Sequence, residues 1–213
     1  MDGPITEPEA AASTLYTVID RRRSIRSYRA DPVSDALLER VLRAASMAPS
    51  PHNRQPWRFV LLRSAAAMAL ARAMGERLAA DRRRDGDAAE LIARDVARSE
   101  ARLTGAPLLL LVCVTLEEMD AYPDAKRREA EFLMAVQGTA MAAQNLMLAA
   151  SAEGLATCWM CAPLFCPETV RQILALPAAW QPQGLITLGY PAAPGKLRPR
   201  KPLGEILIER GAS

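Results

Sequence analysis

The stretch FLMAVQGTAMAAQNLMLAASA, residues 132–152, decides how this chain folds. Wound as a helix, it puts Phe132, Leu133, Val136, Ala140, Met141, Ala143, Leu146, Met147 and Ala150 around most of the circumference. A lipid-spanning helix needs about 20 predominantly apolar residues. Here Gln137, Thr139, Gln144, Asn145 and Ser151 break the run, so it is enclosed by protein and not by lipid. Two enclosures are open: the centre of a monomer's core, or a two-fold interface between two copies of the chain. A 213-residue chain has little protein to spare for hiding a helix on every side, so a homodimer is expected. The helix is read over 126–153, with Gly154 as a left-handed cap.

Working outward, APLLLLVCVTL (106–116) precedes this helix as a continuously apolar, hence central, strand. LATCWM (155–160) follows it as another strand, CPETVRQILAL (166–176) as a proline-started helix, and GLITLGY (184–190) as a last strand. Upstream, WRFVLLR (57–63) is a buried strand. Before it runs an amphipathic helix, DALLERVLRAASMA (35–48), capped by Ser34 and stopped by Pro49 and Pro51. TLYTVIDRR (14–22) reads as a first helix after a loose arm over 1–12. Residues 65–103 read as two surface helices around a mobile joint at RRRDGD, and 65–105 as a candidate lid. The class is α+β: one domain over 13–213, with a small mixed sheet flanked by helices.

A net charge of +3, from 27 basic and 24 acidic residues, argues against a nucleic-acid binder. The arginine run at 82–84 has Asp81, Asp85 and Asp87 beside it and reads as a solvated turn. MDGPITEPEA has no hydrophobic signal core, so a cytoplasmic location with reduced cysteines and no membrane association is expected. No G-x-G-x-x-G follows the first strand, and no phosphate-binding G-x-x-x-x-G-K-[ST] or nucleophile G-x-S-x-G is present.

Two arginine clusters remain. RRRSIRSY (21–28) gathers cations and a serine where a helix meets a loop. Forked guanidiniums suit a phosphate or an anionic ring, though cations at a helix C-terminus are also favourable on their own. In LRPRKP, Arg198 and Arg200 flank Pro199, which stiffens the backbone; the same pattern suits an ordinary basic loop. Cys158 and Cys161 form a C-x-x-C within an apolar strand. Too few other ligands exist for zinc, so packing is the better reading than redox or metal chemistry. His52, the only histidine, has no partner for a triad or a metal, and is read as facing a ligand pocket or solvent.

Taken in order, RRSIRSY, APSPHNRQPWRF, the buried helix, EGLATCW, LGYP and RPRKP resemble the nitroreductase family of FMN enzymes, over about residues 15–203. Within it, APSPHNRQPWRFV, AYPDAKRREAEFLM, GLATCWM and LPAAWQPQGLITLGYP look most like the reductase domain fused to the coenzyme F420 γ-glutamyl ligase, here expected to stand alone. The resemblance implies a domain-swapped homodimer with FMN at its interface. It implies that Arg22, Arg23, Ser24 and Arg26 hold the phosphate, ribityl chain and ring edge, and that Arg198 and Arg200 close on the phosphate. It places Pro49, Ser50, Pro51 and Asn53, from the other subunit, against the ring, and the backbone amides of Met160 and Cys161 near the flavin N5. Many relatives have glycine where Cys161 stands. His52 would then contact substrate at the pocket mouth. The implied reaction passes hydride from NAD(P)H or a reduced deazaflavin, via flavin N5, to a nitroaromatic, quinone or conjugated C=C acceptor, such as a dehydro precursor of F420. No side chain is assigned as catalytic. The alternatives are a flavin binder without turnover and an enzyme that consumes its own flavin to form a benzimidazole.

Overall fold

The computed structural model describes residues 7–211. Its elements, in chain order, begin with α1 (Glu7–Arg21), α2 (Asp35–Ser46) and β1 (Trp57–Leu62). Then come α3 (Ser64–Arg84), α4 (Ala89–Thr104), β2 (Leu108–Val114) and α5 (Ala125–Ala152). The chain ends with β3 (Ala156–Met160), α6 (Pro167–Ile173), β4 (Gln181–Gly189) and the single-turn α7 (Leu203–Ile206).

β2 is buried at every residue, as its unbroken apolar run requires. Alternation along it sends side chains to opposite faces. Leu108, Leu110 and Val112 join Leu38, Val41, Leu146 and Ala150 in a core under α2 and α5. Leu109, Leu111 and Cys113 join Leu70, Met74, Leu103 and Val170 in a second core under α3, α4 and α6. The result is a helix–sheet–helix sandwich. Two helix starts follow from capping. The Leu37 amide donates to Ser34 Oγ at 3.3 Å, the cap expected from sequence, and the Arg127 amide donates to Asp124 Oδ1 at 3.0 Å. α5 stops at Ala152, and Gly154 takes φ +77°.

Three expectations are corrected. The sheet is not mixed: its strand order is β1-β2-β4-β3 and every named pair is antiparallel. A single helix, α5, links β2 to β3 and leaves those two strands pointing the same way. β4 inserts between them, so no parallel neighbours arise. The only parallel pairing among the described residues is an isolated bridge, Ser24 to Thr157. Part of the expected N-terminal arm is helix. α1 begins at Glu7, so residues 7–12 are helical, and 1–6 lie outside the described residues. Glu7 and Glu9 in the first turn favour that start.

Finally, the 65–103 helices are not merely surface helices. α3 buries Ala67, Leu70, Ala71, Met74 and Ala79 and forms a wall of the second core. Its joint with α4 is tied by Arg82, which bonds both Asp87 and Asp95, the latter at 2.6 Å. No helix among the described residues is long and apolar enough to cross a membrane.

Candidate functional site

The first arginine cluster leaves α1 and runs along the outer edge of β3. The Ile25 amide donates to the Thr157 carbonyl at 3.1 Å, beside the Ser24–Thr157 bridge. Two residues on, the chain pairs with the segment leaving β4. Ala192 N–H donates to Ser27 O at 3.0 Å and Arg29 N–H to Tyr190 O at 2.9 Å, flanking a Tyr28–Pro191 bridge. The two arginine clusters, far apart in sequence, are thus joined at their roots.

Tyr28 fixes this junction. Its hydroxyl lies 2.6 Å from the Ile25 carbonyl, to which it donates, and 2.6 Å from Thr187 Oγ1 in β4. Burial pushes its phenol up to about 12, against the opposing pull of the Thr187 hydrogen bond. Gly195 makes the second contact. A Cβ built there would sit 2.3 Å from Arg23 Cβ and 2.7 Å from Arg23 Cγ. Only a residue without a side chain lets the tail lie this close to the arginine segment.

Between the two segments opens a cavity of about 570 Å³. Arg22, Arg23, Ser24, Arg26, Lys196, Arg198 and Arg200 line it, and no acidic side chain does. All six residues that sequence reasoning assigned from the two clusters therefore meet around one space. Guanidinium forks and a hydroxyl gathered without a carboxylate form a donor set for a phosphate.

The other expected residues do not line that cavity. Met160 ends β3, three residues beyond Thr157 and so on the order of 10 Å along the strand. Cys161 follows it and is exposed. Trp159 Nε1–H donates to Cys161 Sγ at 3.0 Å. That indole lies flat on Gly184 of β4, where an added Cβ would come within 2.3 Å of the ring. Cys161 is thus held by a fixed tryptophan. Cys158 is buried, and desolvation raises its thiol pKa, which suits packing.

Pro49, Ser50, Pro51, His52 and Asn53 lie against α5. The Cβ position of Gly138 is 3.4 Å from Ser50 Cβ. The loop is strained: His52, Asn53 and Gln55 take φ of 47°, 56° and 49°. Non-glycine residues rarely occupy this region, and such strain clusters at ligand clamps. Ser50 holds it in place, its Oγ accepting from Gln55 N–H at 3.0 Å and its carbonyl from Asn53 N–H at 3.0 Å. Arg54 ties the loop to Asp120 at 2.9 Å. Among the described residues of one chain, no hydrogen bond or ion pair joins this loop to the residues of the cationic cavity.

A groove of about 640 Å³ between α3 and α4 is roomier, but it mixes Arg72 and Arg83 with Glu76 and Glu100. Its charges offset one another, and it offers no converging anion site. Tyr28, Gly195 and the strained loop backbone were missed by sequence reasoning. The quoted motifs contain the first and the loop, but nothing local marks their partners.

Comparison with known proteins agrees with these features. Residues 19–190 match the model described as "Nitroreductase family". A Thermus thermophilus protein named NADH dehydrogenase is 33% identical, over 89% of this chain and 93% of its own length. The 5,6-dimethylbenzimidazole synthase of Rhodospirillum rubrum is 30% identical, over 89% of this chain and 87% of its own. Among solved structures, a nitroreductase from Desulfovibrio desulfuricans in complex with FMN superposes with a TM-score of 0.72 at 27% identity, all of both chains being covered.

Proposed function

Because the chain belongs to the nitroreductase family, we propose that it is an FMN-dependent oxidoreductase whose electron donor is a reduced nicotinamide or deazaflavin. The observation that carries this reading is the carboxylate-free cavity where both arginine clusters converge. It fits the phosphate of FMN, the ligand of the Desulfovibrio relative. When bound, FMN supplies hydride acceptance and donation at its N5, the chemistry that no side chain here provides.

The chain's own residues bind and orient. Arg22, Arg23, Ser24, Arg198 and Arg200 hold the phosphate and ribityl chain. Arg26 lies at the ring edge, where a cation stabilises negative charge on a reduced ring. The Met160 and Cys161 amides lie about 10 Å further along β3 and face the reacting edge. Pro49, Ser50, Pro51 and Asn53 of a second copy cover the ring, and His52 contacts substrate at the mouth. A domain-swapped homodimer supplies that second copy, with 13–213 as one FMN-binding domain in the cytoplasm.

The acceptor is a nitroaromatic, a quinone or a conjugated C=C. A dehydro precursor of coenzyme F420 is its sharpest form, a reading that rests only on the resemblance of segments such as APSPHNRQPWRFV and LPAAWQPQGLITLGYP to the F420 ligase reductase domain. The relationship to 5,6-dimethylbenzimidazole synthase favours a second reading, in which the enzyme consumes its own flavin. A flavin binder without turnover is the remaining alternative.

Purified protein should be yellow, with the oxidised-flavin band near about 450 nm. Arg22→Ala and Arg200→Ala should each weaken FMN about tenfold or more, the loss of a charge-assisted hydrogen bond. A colourless protein that FMN cannot reconstitute overturns the reading. Oxidation of a nicotinamide with a quinone or nitro acceptor separates enzyme from binder. Permanent loss of flavin absorbance after reduction in air marks the flavin-consuming reading.

A further inference from the structure

The cavity carries more positive charge than one flavin phosphate neutralises. Arg22, Arg23, Arg26, Lys196, Arg198 and Arg200 line it, with no acidic neighbour in its wall. None of the six has a carboxylate partner among the described residues. Carboxylates do reach arginines elsewhere in the chain: Arg40, Arg54, Arg77 and Arg82 are paired with Glu153, Asp120, Asp81 and both Asp87 and Asp95. A phosphate monoester brings about 1.5 to 2 negative charges at neutral pH. A reduced, ionised ring adds about one more. Roughly half of the cationic charge is then still unmatched beside the loaded flavin.

Lys196 is the residue that the flavin reading leaves without a role. Gly195, its neighbour, is pressed against Arg23, which places the backbone at Lys196 beside the cavity that this exposed side chain lines. Cations kept together in this way repel one another unless an anion arrives. Their summed field also reaches about a Debye length, ~8 Å at physiological salt, and so acts on whatever docks over the flavin.

Resting on the FMN reading above, we propose that Lys196 and the unmatched arginine charge receive a second anionic group, borne by the electron donor. The donor is therefore one with strong negative charge beyond its redox ring. Two sources share that chemistry: the 2′-phosphate that distinguishes NADPH from NADH, and the carboxylate tail of a γ-glutamylated deazaflavin.

The test uses flavin-loaded protein. NADH, NADPH, reduced deazaflavin with its tail and reduced deazaflavin without it are compared by stopped-flow flavin reduction at low and raised salt. Calorimetry with 2′,5′-ADP and 5′-AMP reads binding without turnover. One charged member of a pair should exceed its less charged counterpart by about tenfold in kcat/KM, and salt should shrink that ratio. Lys196→Gln should narrow the ratio severalfold, with NADH or the tail-less deazaflavin as internal reference. Tight binding of 2′,5′-ADP over 5′-AMP assigns the source to NADPH, and a ratio confined to the deazaflavin pair assigns it to the tail. Equal rates within both pairs, a salt-independent ratio, or a Lys196→Gln change that affects all donors alike overturns the proposal while leaving a yellow, FMN-dependent protein intact. Failure to hold FMN at all overturns both readings, and flavin content, measured first, distinguishes the two failures.

Discussion

Tyr28 illustrates how one side chain serves a site it does not line. Its hydroxyl holds the Ile25 carbonyl and Thr187 Oγ1 together, so the backbone carrying Arg22 to Arg26 is registered on β4. Replacing it by phenylalanine leaves the Ile25 carbonyl without this donor and the Thr187 hydroxyl without this acceptor, at a cost of about 1–2 kcal/mol. Tyr28→Phe should lower Tm and also loosen FMN severalfold, because the arginines lose their registration. The pH dependence has a definite sign. The folded phenol titrates at about 12, above its ordinary value of about 10. Its contribution is full below about pH 10 and is lost as pH rises toward about 12. Chemical denaturation across that range should show an alkaline loss in the wild type that is smaller in Tyr28→Phe. Equal alkaline slopes for the two proteins would exclude this role. The sequence shows the arginines plainly, since guanidinium chemistry is a property of residue type. It hides Tyr28 and Gly195, whose roles come from partners at Thr187 and Arg23. It hides the positive φ of His52, Asn53 and Gln55 as well, because no glycine marks them.

At the scale of elements, the strands were legible because β2 and its neighbours are short apolar runs between turn residues. Their direction was not: nothing local says that β4 slides between β2 and β3. The α3–α4 hairpin was legible as two helices but misjudged as lying wholly on the surface, because its Ala-rich sequence conceals a buried face. What makes its joint rigid is a carboxylate cluster partner. Asp95 receives Arg82 at 2.6 Å and Arg98 at 2.8 Å, with Arg94 at 3.6 Å, and its side chain is only 13% exposed. The Arg82 hydrogen bond comes first among the causes that hold its carboxyl below the usual range. A lowered pKa means stability present above the ordinary value of about 4 and lost as pH falls below it. Asp95→Asn should therefore lower Tm at about pH 7, and the difference between wild type and variant should shrink as pH falls below about 4. Hydrogen exchange should localise the loosening to 82–95, and an undiminished difference in acid would refute the clasp.

The whole molecule leaves apolar surface that one chain cannot cover. α1 buries none of its residues, and Leu15, Tyr16 and Ile19 are all exposed. A solitary helix of this length is marginal in water without a packed face. On α5, Leu133 is 54% and Met141 42% exposed, although the opposite side of the same helix is fully buried. The tail adds Leu203, Ile206, Leu207 and Ile208, all largely exposed. Exposed apolar surface of this kind suits association. The all-round apolar character of 132–152 led to the expectation of a homodimer, since a buried stripe and an open stripe look alike in composition. If a second copy covers α5 and lends its 49–53 loop, dimerisation and flavin retention are one event. Met141→Glu puts a charge into that apolar contact, at a cost of more than about 2 kcal/mol per copy. It should shift sedimentation from dimer to monomer, and the monomer should lose FMN even though the arginine cavity of each chain is untouched. A Met141→Glu monomer that keeps its flavin as tightly as the wild type would show that each chain completes its own site.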